Sequence, residues 1–276
     1  MSIQASIITI GDELLIGQVI DTNSAFIAQQ LNAIGVSLKH RVAVGDNAKD
    51  ITEAIDLAIS QNSVVILTGG LGPTADDITK PLLNSYFGGK MMVHQPTLDH
   101  ITYIFEQIHK KPMIDRNRKQ AEVPDVCEVL FNEKGTAPGM MFNKLNTLVF
   151  SLPGVPHEMK WLMTEQVIPR IKNHFNTNPI SHRTLLTAGI GESFLAELIK
   201  DFEQNLPNEV KLAYLPNYGM VRLRLTSSGS DEKALNNQLD ALFANLSALV
   251  KEYLVTDQDE TMEMVVGKML KSANQT

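Results

Sequence analysis

The stretch of this sequence best suited to chemistry is a glycine-rich loop that follows an apolar run and ends in two acids. Residues 68–77 read TGGLGPTADD, directly after the apolar run 63–67. Glycines allow backbone N–H groups to approach a ligand closely, and the N–H groups that begin a following helix suit a phosphate. We therefore expect this loop to contact a ligand through Gly69, Gly70, Gly72 and Thr74.

The two acids that close the loop, Asp76 and Asp77, change the chemistry that it predicts. Adjacent carboxylates repel a bare phosphate, whereas a hard divalent cation between carboxylate and phosphate removes that conflict. The loop therefore indicates a site for phosphate and metal, and the alternative is a tight turn whose acids cap a helix. A dinucleotide fingerprint over residues 70–75 is not favoured, because Pro73 removes an N–H and no acid closes a second strand about 20 residues on.

A second group of polar residues follows the first apolar run, residues 5–10. Asp12 and Glu13 come soon after that run, and Asp21 and Asn23 lie at the start of the next predicted helix. Ligands of open α/β sheets bind at the carboxyl ends of the strands. If the first and third strands are neighbours, Glu13 and Asp77 could share one cation. The alternative is that Asp12 and Asp21 are helix caps.

Three further segments have residue types that suit a phosphate or a base. The segment 117–121, NRKQA, offers cations and amides, with a solvated charged turn as the alternative. The small-residue loop 135–139 and the turn 153–156 allow a ligand to approach the backbone, or they are only rigid turns. The binding candidates in these segments are Asn117, Arg118, Gln120, Gly135, Thr136 and Gly154.

The elements that must position these residues form an alternating pattern. Apolar runs predict strands at 5–10, 36–44 and 63–67, and helices occupy the segments between them. This alternation of strands and helices predicts a parallel sheet covered by helices. Residues 110–139 look irregular, and a last strand at 147–152 precedes a helix opened by residues 153–156.

A polar, turn-rich linker at 173–181 separates this region from a smaller one. The smaller region has predicted strands at 183–188, 210–215 and 219–226, a helix at 192–202, and a long helix with an apolar stripe from residue 235 to 250. Residues 214–219 read as a hairpin loop with aromatic packing. This pattern predicts a small α+β domain.

Composition bounds the class of protein. The chain has 276 residues, 43% of them hydrophobic, a net charge of −7 and one cysteine, Cys127. At roughly 100–200 residues per domain, we expect two domains. One cysteine excludes an intrachain disulfide and a Cys-based structural zinc site. The acidic balance speaks against nucleic-acid binding, and we expect a cytoplasmic protein that neither carries a signal peptide nor spans a membrane.

Taken in order, the motifs resemble those of the CinA (competence/damage-inducible) family. They are GDELL-x-G with DTN at 11–23, TGGLGPTADDIT at 68–79, NRKQA at 117–121, GTAPG at 135–139 and LPGVPHEM at 152–159. The N-terminal part resembles a molybdopterin-binding domain. AGIGES at 188–193 and YLPNYGMVRLRL at 214–225 resemble the middle domain of that family, so the resemblance covers residues 5–255.

The resemblance implies a fold and a domain order. We expect a three-layer α/β domain with a mostly parallel sheet at 1–175 and a smaller α+β, KH-like domain at 176–255. The tail, 256–276, resembles the start of a deamidase domain. The TAESCTGG-like motif of that deamidase is absent from the sequence, so we expect no nicotinamide mononucleotide deamidase activity.

The resemblance also implies an activity: metal-dependent hydrolysis of the pyrophosphate of ADP-ribose to AMP and ribose 5-phosphate. It assigns catalysis to Asp77, Asp76 and Glu13, and metal binding to Asp77, Glu13 and Asp12. The cation would be Mg²⁺, Mn²⁺ or Co²⁺, with K⁺ as an additional candidate, and the reaction would be in-line attack of water on phosphorus. The expected partners are a nucleotide substrate and a second copy in a homodimer.

Other functions remain open from the sequence. The same loop would serve a protein that binds molybdopterin or a nucleotide without turning it over. A dehydrogenase-type nucleotide binder is disfavoured by the misplaced fingerprint. RNA binding by the KH-like domain is disfavoured because its residues 189–191 read GIG and the region has no G-x-x-G loop.

Overall fold

A computed structural model describes residues 3–74 and 77–275. The chain divides into two compact units, Met1–Thr177 and Asn178–Thr276. In the part of the chain that is described, no helix combines the length and apolar character needed to cross a bilayer.

A six-stranded mixed sheet forms the centre of the first unit. Its order is β2-β1-β3-β8-β7-β6. Strands β2, β1, β3 and β8 are parallel, and β7 runs antiparallel to both of its neighbours. Strands β4 and β5 form a separate antiparallel pair. The strands are β1 (Gln4–Ile10), β2 (Ser37–Val44), β3 (Val64–Thr68), β4 (Met91–Val93), β5 (Glu122–Pro124), β6 (Glu128–Leu130), β7 (Gly139–Lys144) and β8 (Thr147–Leu152).

Helices cover both faces of this sheet. Two of them are extended by π-helical segments, Tyr103–Ile108 and Met163–Val167, and one is followed by a 3₁₀ turn, Lys119–Ala121. The helices are α1 (Asp12–Leu15), α2 (Thr22–Ala33), α3 (Ala48–Gln61), α4 (Thr79–Phe87), α5 (Gln95–Thr102), α6 (Asp115–Arg118), α7 (Pro156–Leu162) and α8 (Ile168–His174).

The alternation of side chains along β1 explains the three layers. Ile7 packs in a core with Ile27 of α2 and Met159 of α7, whereas Ile8 packs on the opposite face with Ile55 of α3 and Leu83 of α4. Successive residues of a strand point to opposite faces, so one apolar run supplies both cores. The predicted three-layer α/β architecture with a mostly parallel sheet is confirmed.

The expectation that residues 110–139 are irregular is wrong. This segment contains α6, β5 and β6, and β5 completes its sheet by pairing with β4, about 30 residues earlier in the chain. Elements of three or four residues are too short to show a periodic apolar pattern. Their conformation depends on distant pairing partners.

The second unit is a four-stranded antiparallel sheet of order β10-β11-β9-β12 with helices. Its apolar core includes Leu235, Leu239 and Leu246 of the long helix, the stripe that the sequence predicts. The elements are β9 (Ile180–Ala188), α9 (Glu192–Leu198), α10 (Lys200–Gln204), β10 (Val210–Asn217), β11 (Met220–Ser228), α11 (Glu232–Leu249), β12 (Leu254–Thr256) and α12 (Met262–Ser272). The smaller α+β domain is confirmed.

Two details of this unit differ from the sequence-based prediction. The helix predicted at 192–202 breaks at Ile199, where φ is −107° and ψ is 14°. The predicted hairpin is present, with Gly219 in its turn at φ +63°. The aromatic packing expected there is wrong for Tyr218, because that side chain is 97% exposed.

Candidate functional site

The carboxyl ends of β1, β3 and β8 meet at one edge of the first unit's sheet. The Gly69 N–H donates to the Leu152 carbonyl at 3.1 Å. Gly69 has φ +115°, and a Cβ there would collide with the Ile10 carbonyl oxygen. Glycine at position 69 is therefore needed for the strand ends to approach one another, whether or not a ligand is present.

Asn23, at the start of α2, connects these strand ends. Its Nδ2 donates to the Gly154 carbonyl at 2.7 Å and to Thr68 Oγ1 at 3.4 Å. The Thr68 hydroxyl in turn donates to the Pro153 carbonyl at 3.0 Å. Among the described residues, the buried Oδ1 of Asn23 accepts no hydrogen bond. A ligand donor would satisfy this acceptor.

A first cavity of about 150 Å³ lies beside Asn23. Its lining combines apolar side chains with two acids and the N-terminus of α2. Asp21 caps that helix, accepting from the Ser24 N–H at 2.9 Å, which is the capping role left open by the sequence. The lining residues are Thr9, Ile10, Glu13, Leu14, Val19, Ile20, Asp21, Thr22, Asn23, Thr68, Gly69, Gly154 and Pro156.

Asp12 and Glu13 are separated by the structure although they are adjacent in sequence. Glu13 lines the first cavity. Asp12 is directed to the turn after β2, where its Oδ1 accepts from the Asp46 N–H at 3.2 Å. A Cβ at Gly45 would lie 2.5 Å from that same oxygen. Asp12 therefore braces a turn and does not line either cavity of this edge.

A second cavity, of about 370 Å³, brings the end of the glycine-rich loop to the segment 116–122. Four of the residues predicted in these two segments line this cavity: Gly72, Thr74, Asp77 and Gln120. Three others line neither cavity: Gly70, Asn117 and Arg118. The lining residues are Gly72, Pro73, Thr74, Asp77, Lys80, Pro81, Met91, Arg116, Lys119, Gln120 and Glu122.

The Asp77 carboxylate is held by its own loop. Oδ1 accepts from the Gly72 N–H at 2.8 Å, and Oδ2 accepts from the Thr74 N–H at 2.9 Å and from the Thr74 hydroxyl. The N–H of Gly72, which the sequence assigns to a phosphate, donates instead to Asp77. A Cβ at Gly72 would lie 2.5 Å from Oδ2, so glycine is required for this contact. Asp76 lies outside the described residues.

A carboxylate has about four lone-pair sites, and the three hydrogen bonds to Asp77 leave one of them on Oδ1. In the described parts of the chain, no three His, Cys, Asp or Glu side chains are placed to hold a metal. Glu13 and Asp77 line different cavities. Magnesium is often bound by one or two carboxylates together with substrate phosphates and water. Asp77 could supply one carboxylate of such a site, whereas the described residues do not form a site made of protein ligands alone.

Lys80 is, like Arg116, a charged residue of this cavity that is not among the site residues predicted from the sequence. It lies in the first turn of α4, is 7% exposed, and donates from Nζ to the Gln120 carbonyl at 2.9 Å. Burial lowers its pKa to about 8, although Glu122, Cys127 and Asp77 act in the opposite direction. Its position three residues after Asp77 was the available signal. Nothing in the local sequence indicates that this side chain is buried.

The small-residue loop 135–139 packs against a helix instead of a cavity. A Cβ at Gly135 would collide with the carboxyl group of Glu158 in α7. That carboxyl accepts from Asn132 Nδ2 at 2.6 Å, and burial raises the pKa of Glu158. Gly135 and Thr136, both predicted to bind substrate, line neither cavity.

Comparison with known proteins adds to this geometry. Residues 6–173 match the family described as "Probable molybdopterin binding domain", and residues 182–256 match "Damage-inducible protein CinA KH domain". A CinA-like protein of Flavobacterium psychrophilum is 47% identical over 97% of the chain, and one of Cytophaga hutchinsonii is 42% identical over 99%. The chain spans 64% and 65% of the lengths of these two relatives.

A solved structure agrees with these matches. The crystal structure of the protein CinA from Thermoplasma acidophilum covers 63% of this chain and is itself 99% covered, with a TM-score of 0.55 and 30% identity. The order of the two matched domains is the one that the motifs predict. The chain belongs to the CinA-like family, with a probable molybdopterin binding domain followed by a CinA KH domain.

Proposed function

We propose that the first unit is a divalent-metal-dependent hydrolase that cleaves the pyrophosphate of ADP-ribose to AMP and ribose 5-phosphate. The observation that carries this proposal is the lining of the second cavity, where the Asp77 carboxylate is accompanied by Lys80, Arg116 and Lys119. Cations bind the phosphate oxygens, and one carboxylate remains available for a metal or a proton. The presence of both kinds of side chain in one cavity supports this proposal.

Each group of this cavity has a separate role in the proposal. Arg116 and Lys119 bind phosphate oxygens, since guanidinium and ammonium groups form strong charge-assisted hydrogen bonds to phosphate. Gly72 and Thr74 fix the orientation of Asp77 through their N–H groups. Asp77 would hold the cation, since its Oδ1 accepts only one of the hydrogen bonds described above. A divalent cation bound there supplies Lewis acidity and neutralises phosphate charge.

The first cavity would take a less charged part of the substrate. Its apolar residues Leu14, Val19 and Ile20 suit a ring, and the unpaired Oδ1 of Asn23 suits an N–H or hydroxyl donor. Ribose and adenine both carry such donors. The proposed function therefore uses the second cavity for phosphate and the first for a sugar or base.

The experiment that tests this proposal is a hydrolysis assay on the full chain with ADP-ribose and saturating Mg²⁺, Mn²⁺ or Co²⁺. We expect release of AMP from the wild-type chain and its loss in Asp77→Ala. Asp99→Ala is a suitable control, because Asp99 is an exposed acid of α5 that hydrogen-bonds Gln95. Wild-type turnover in Asp77→Ala would show that the assignment is wrong.

A second function, binding of a nucleotide or pterin without turnover, is favoured by one observation. Three of the four lone-pair sites of the Asp77 carboxylate accept hydrogen bonds from Gly72 and Thr74, which is the arrangement of a loop brace. Calorimetric titration with AMP distinguishes the two functions. Binding of AMP without hydrolysis of ADP-ribose under any of the three metals would favour the binding protein.

A further inference from the structure

Among the residues that the structure describes, no carboxylate is a direct counter-ion of the buried Lys80 ammonium. Its Nζ donates one hydrogen bond, to the Gln120 carbonyl, whereas an ammonium carries three donors. Burial of an ammonium without a paired anion destabilises a fold. An anion that enters the cavity beside Lys80 would supply the missing partner.

The position of Lys80 differs from that of the other two cations of the cavity. Arg116 and Lys119 are exposed, and they come from the short helical segment that follows α5. Lys80 is held by burial of its stem in α4 and by the Gln120 carbonyl. A cation held in this way loses little further freedom when it binds a ligand. It can therefore fix the position of a bound group more precisely than an exposed cation can.

Lys80 also has a fixed relation to the acid of the site. It follows Asp77 by three residues, and the two side chains line the same cavity. The lining contains three cations, Lys80, Arg116 and Lys119, and two carboxylates, Asp77 and Glu122. A phosphate ester has the charge and the acceptor oxygens to bridge the three cations.

We propose that Lys80 is the fixed phosphate anchor of the second cavity, whose ammonium binds one phosphate of a nucleotide pyrophosphate and positions it beside Asp77. The identity of the substrate rests on the proposed function, but the binding of a phosphate group does not. Lys80 is a residue that binds and positions. The chemical class of ligand that it selects is a phosphate ester over an unphosphorylated nucleoside or pterin.

The test is calorimetric titration of the full chain with inorganic pyrophosphate, using wild type, Lys80→Met and the exposed control Lys49→Met. We expect the Kd to rise about 10–100-fold in Lys80→Met, the range for loss of a charged hydrogen bond, and to be unchanged in the control. We expect the melting temperature of Lys80→Met to equal or exceed that of wild type by about 2–4 °C, because a buried unpaired charge is removed. A purely structural lysine would lower that temperature.

Several results would overturn this proposal. They are a wild-type chain that fails to bind pyrophosphate, or a folded Lys80→Met that binds it with the wild-type Kd. If Lys80→Met does not fold, Lys80→Arg and labelling of wild-type lysines with an acylating reagent take its place. Retained binding in Lys80→Arg and protection of Lys80 by pyrophosphate support the proposal, and a label on Lys80 that pyrophosphate leaves unchanged contradicts it.

The outcome separates this inference from the proposed function. If pyrophosphate binding depends on Lys80 but ADP-ribose is not cleaved, the phosphate anchor stands and the hydrolase proposal fails. If ADP-ribose is cleaved and Lys80→Met leaves its KM unchanged, the hydrolase proposal stands and the anchor fails.

Discussion

The two cavities of the first unit differ in the charge of the residues that line them. The first, of about 150 Å³, is lined by apolar side chains with Glu13 and Asp21, and its described lining residues include no lysine or arginine. The second, of about 370 Å³, is lined by Lys80, Arg116 and Lys119 together with two acids. We therefore expect a phosphate in the second cavity and a group with few charges in the first.

The difference between the cavities follows from the segments that build them. Strand ends and the start of α2 form the first, and main-chain and Asn23 hydrogen bonds connect them. A loop after β3 and the segment 116–122 form the second, and the Lys80–Gln120 hydrogen bond joins these distant stretches. The first cavity is thus mainly apolar and is built from strand ends held by hydrogen bonds. The second cavity is charged and is built mainly from loops.

The largest expected effect compares one acid from each cavity. Asp77→Asn should lower the turnover of ADP-ribose about 10²–10⁴-fold, the range for loss of a positioned acid or base, because the amide keeps the size but not the charge of the carboxylate. Glu13→Gln should lower it less than about 10-fold. Steady-state rates with saturating metal measure both variants. Equal losses would remove the functional distinction between the cavities.

The next effect concerns the pH dependence of stability. The folded pKa of Lys80, about 8, lies below its unfolded value of 10.5. The unfolded chain therefore binds more protons in this range, and stability from this group rises with pH. Between pH 8 and 10.5, the wild-type free energy of unfolding should gain about 3 kcal/mol relative to Lys80→Met. Urea denaturation at several pH values measures the difference.

A flat difference between these two proteins over that pH range would contradict the burial of a charged Lys80. If that difference in the free energy of unfolding fell as the pH rose, an acid of the second cavity would be stabilising the charged form of Lys80. Lys49→Met is the matched control, since Lys49 is an exposed lysine of α3 that pairs with Glu53 at 3.8 Å.

A smaller effect is expected from the exposed cations of the second cavity. Arg116→Ala and Lys119→Ala should each raise the KM for ADP-ribose about 10-fold, since each removes a charged hydrogen bond that is present before and during the reaction. The value of kcat should change little. Kinetics at low and high NaCl should show a weaker salt dependence of KM in the variants. An unchanged KM in the double variant would show that the phosphate of the substrate does not bind in this cavity.

The smallest effect comes from the first cavity. Asn23→Ala removes the hydrogen bonds to Gly154 and Thr68 and should lower the free energy of unfolding by about 1 kcal/mol. The Kd for pyrophosphate should stay unchanged, because no phosphate is expected in this cavity. Denaturation and calorimetry measure the two quantities, with Asn205→Ala, which removes an exposed amide-to-carbonyl bond in the second unit, as the control. A weakened pyrophosphate affinity would show that the cavities act as one.

The framework of the site could be predicted from the sequence because its signals are local. The apolar runs before Glu13 and after Asn62 are long enough to identify as strands, and the glycine-rich loop follows one of them directly. The cap formed by Asp21 was also among the expected alternatives. These features depend on residues within one or two turns of each other.

The remaining features of the site depend on distant contacts. From the sequence, Lys80 resembles an ordinary exposed residue of a helix. Its burial depends on the segment 116–122, which lies within a stretch that the sequence predicts to be irregular. Asp12 and Glu13 are equivalent in sequence, and only the turn at Gly45 and Asp46 shows which one leaves the edge. The loop at Gly135 resembles a ligand loop because close packing against Glu158 requires the same small residue.

The contact between Gly135 and Glu158 restricts how this protein can evolve. A methyl group at position 135 would occupy the space of the Glu158 carboxyl, and that carboxyl also accepts a hydrogen bond from Asn132, three residues before Gly135. A larger residue at position 135 therefore requires the Glu158 carboxyl to move away or position 158 to carry a smaller residue, so the two positions are coupled. Libraries that vary positions 135 and 158 together can therefore sample shapes of this loop that are disfavoured when position 135 varies alone.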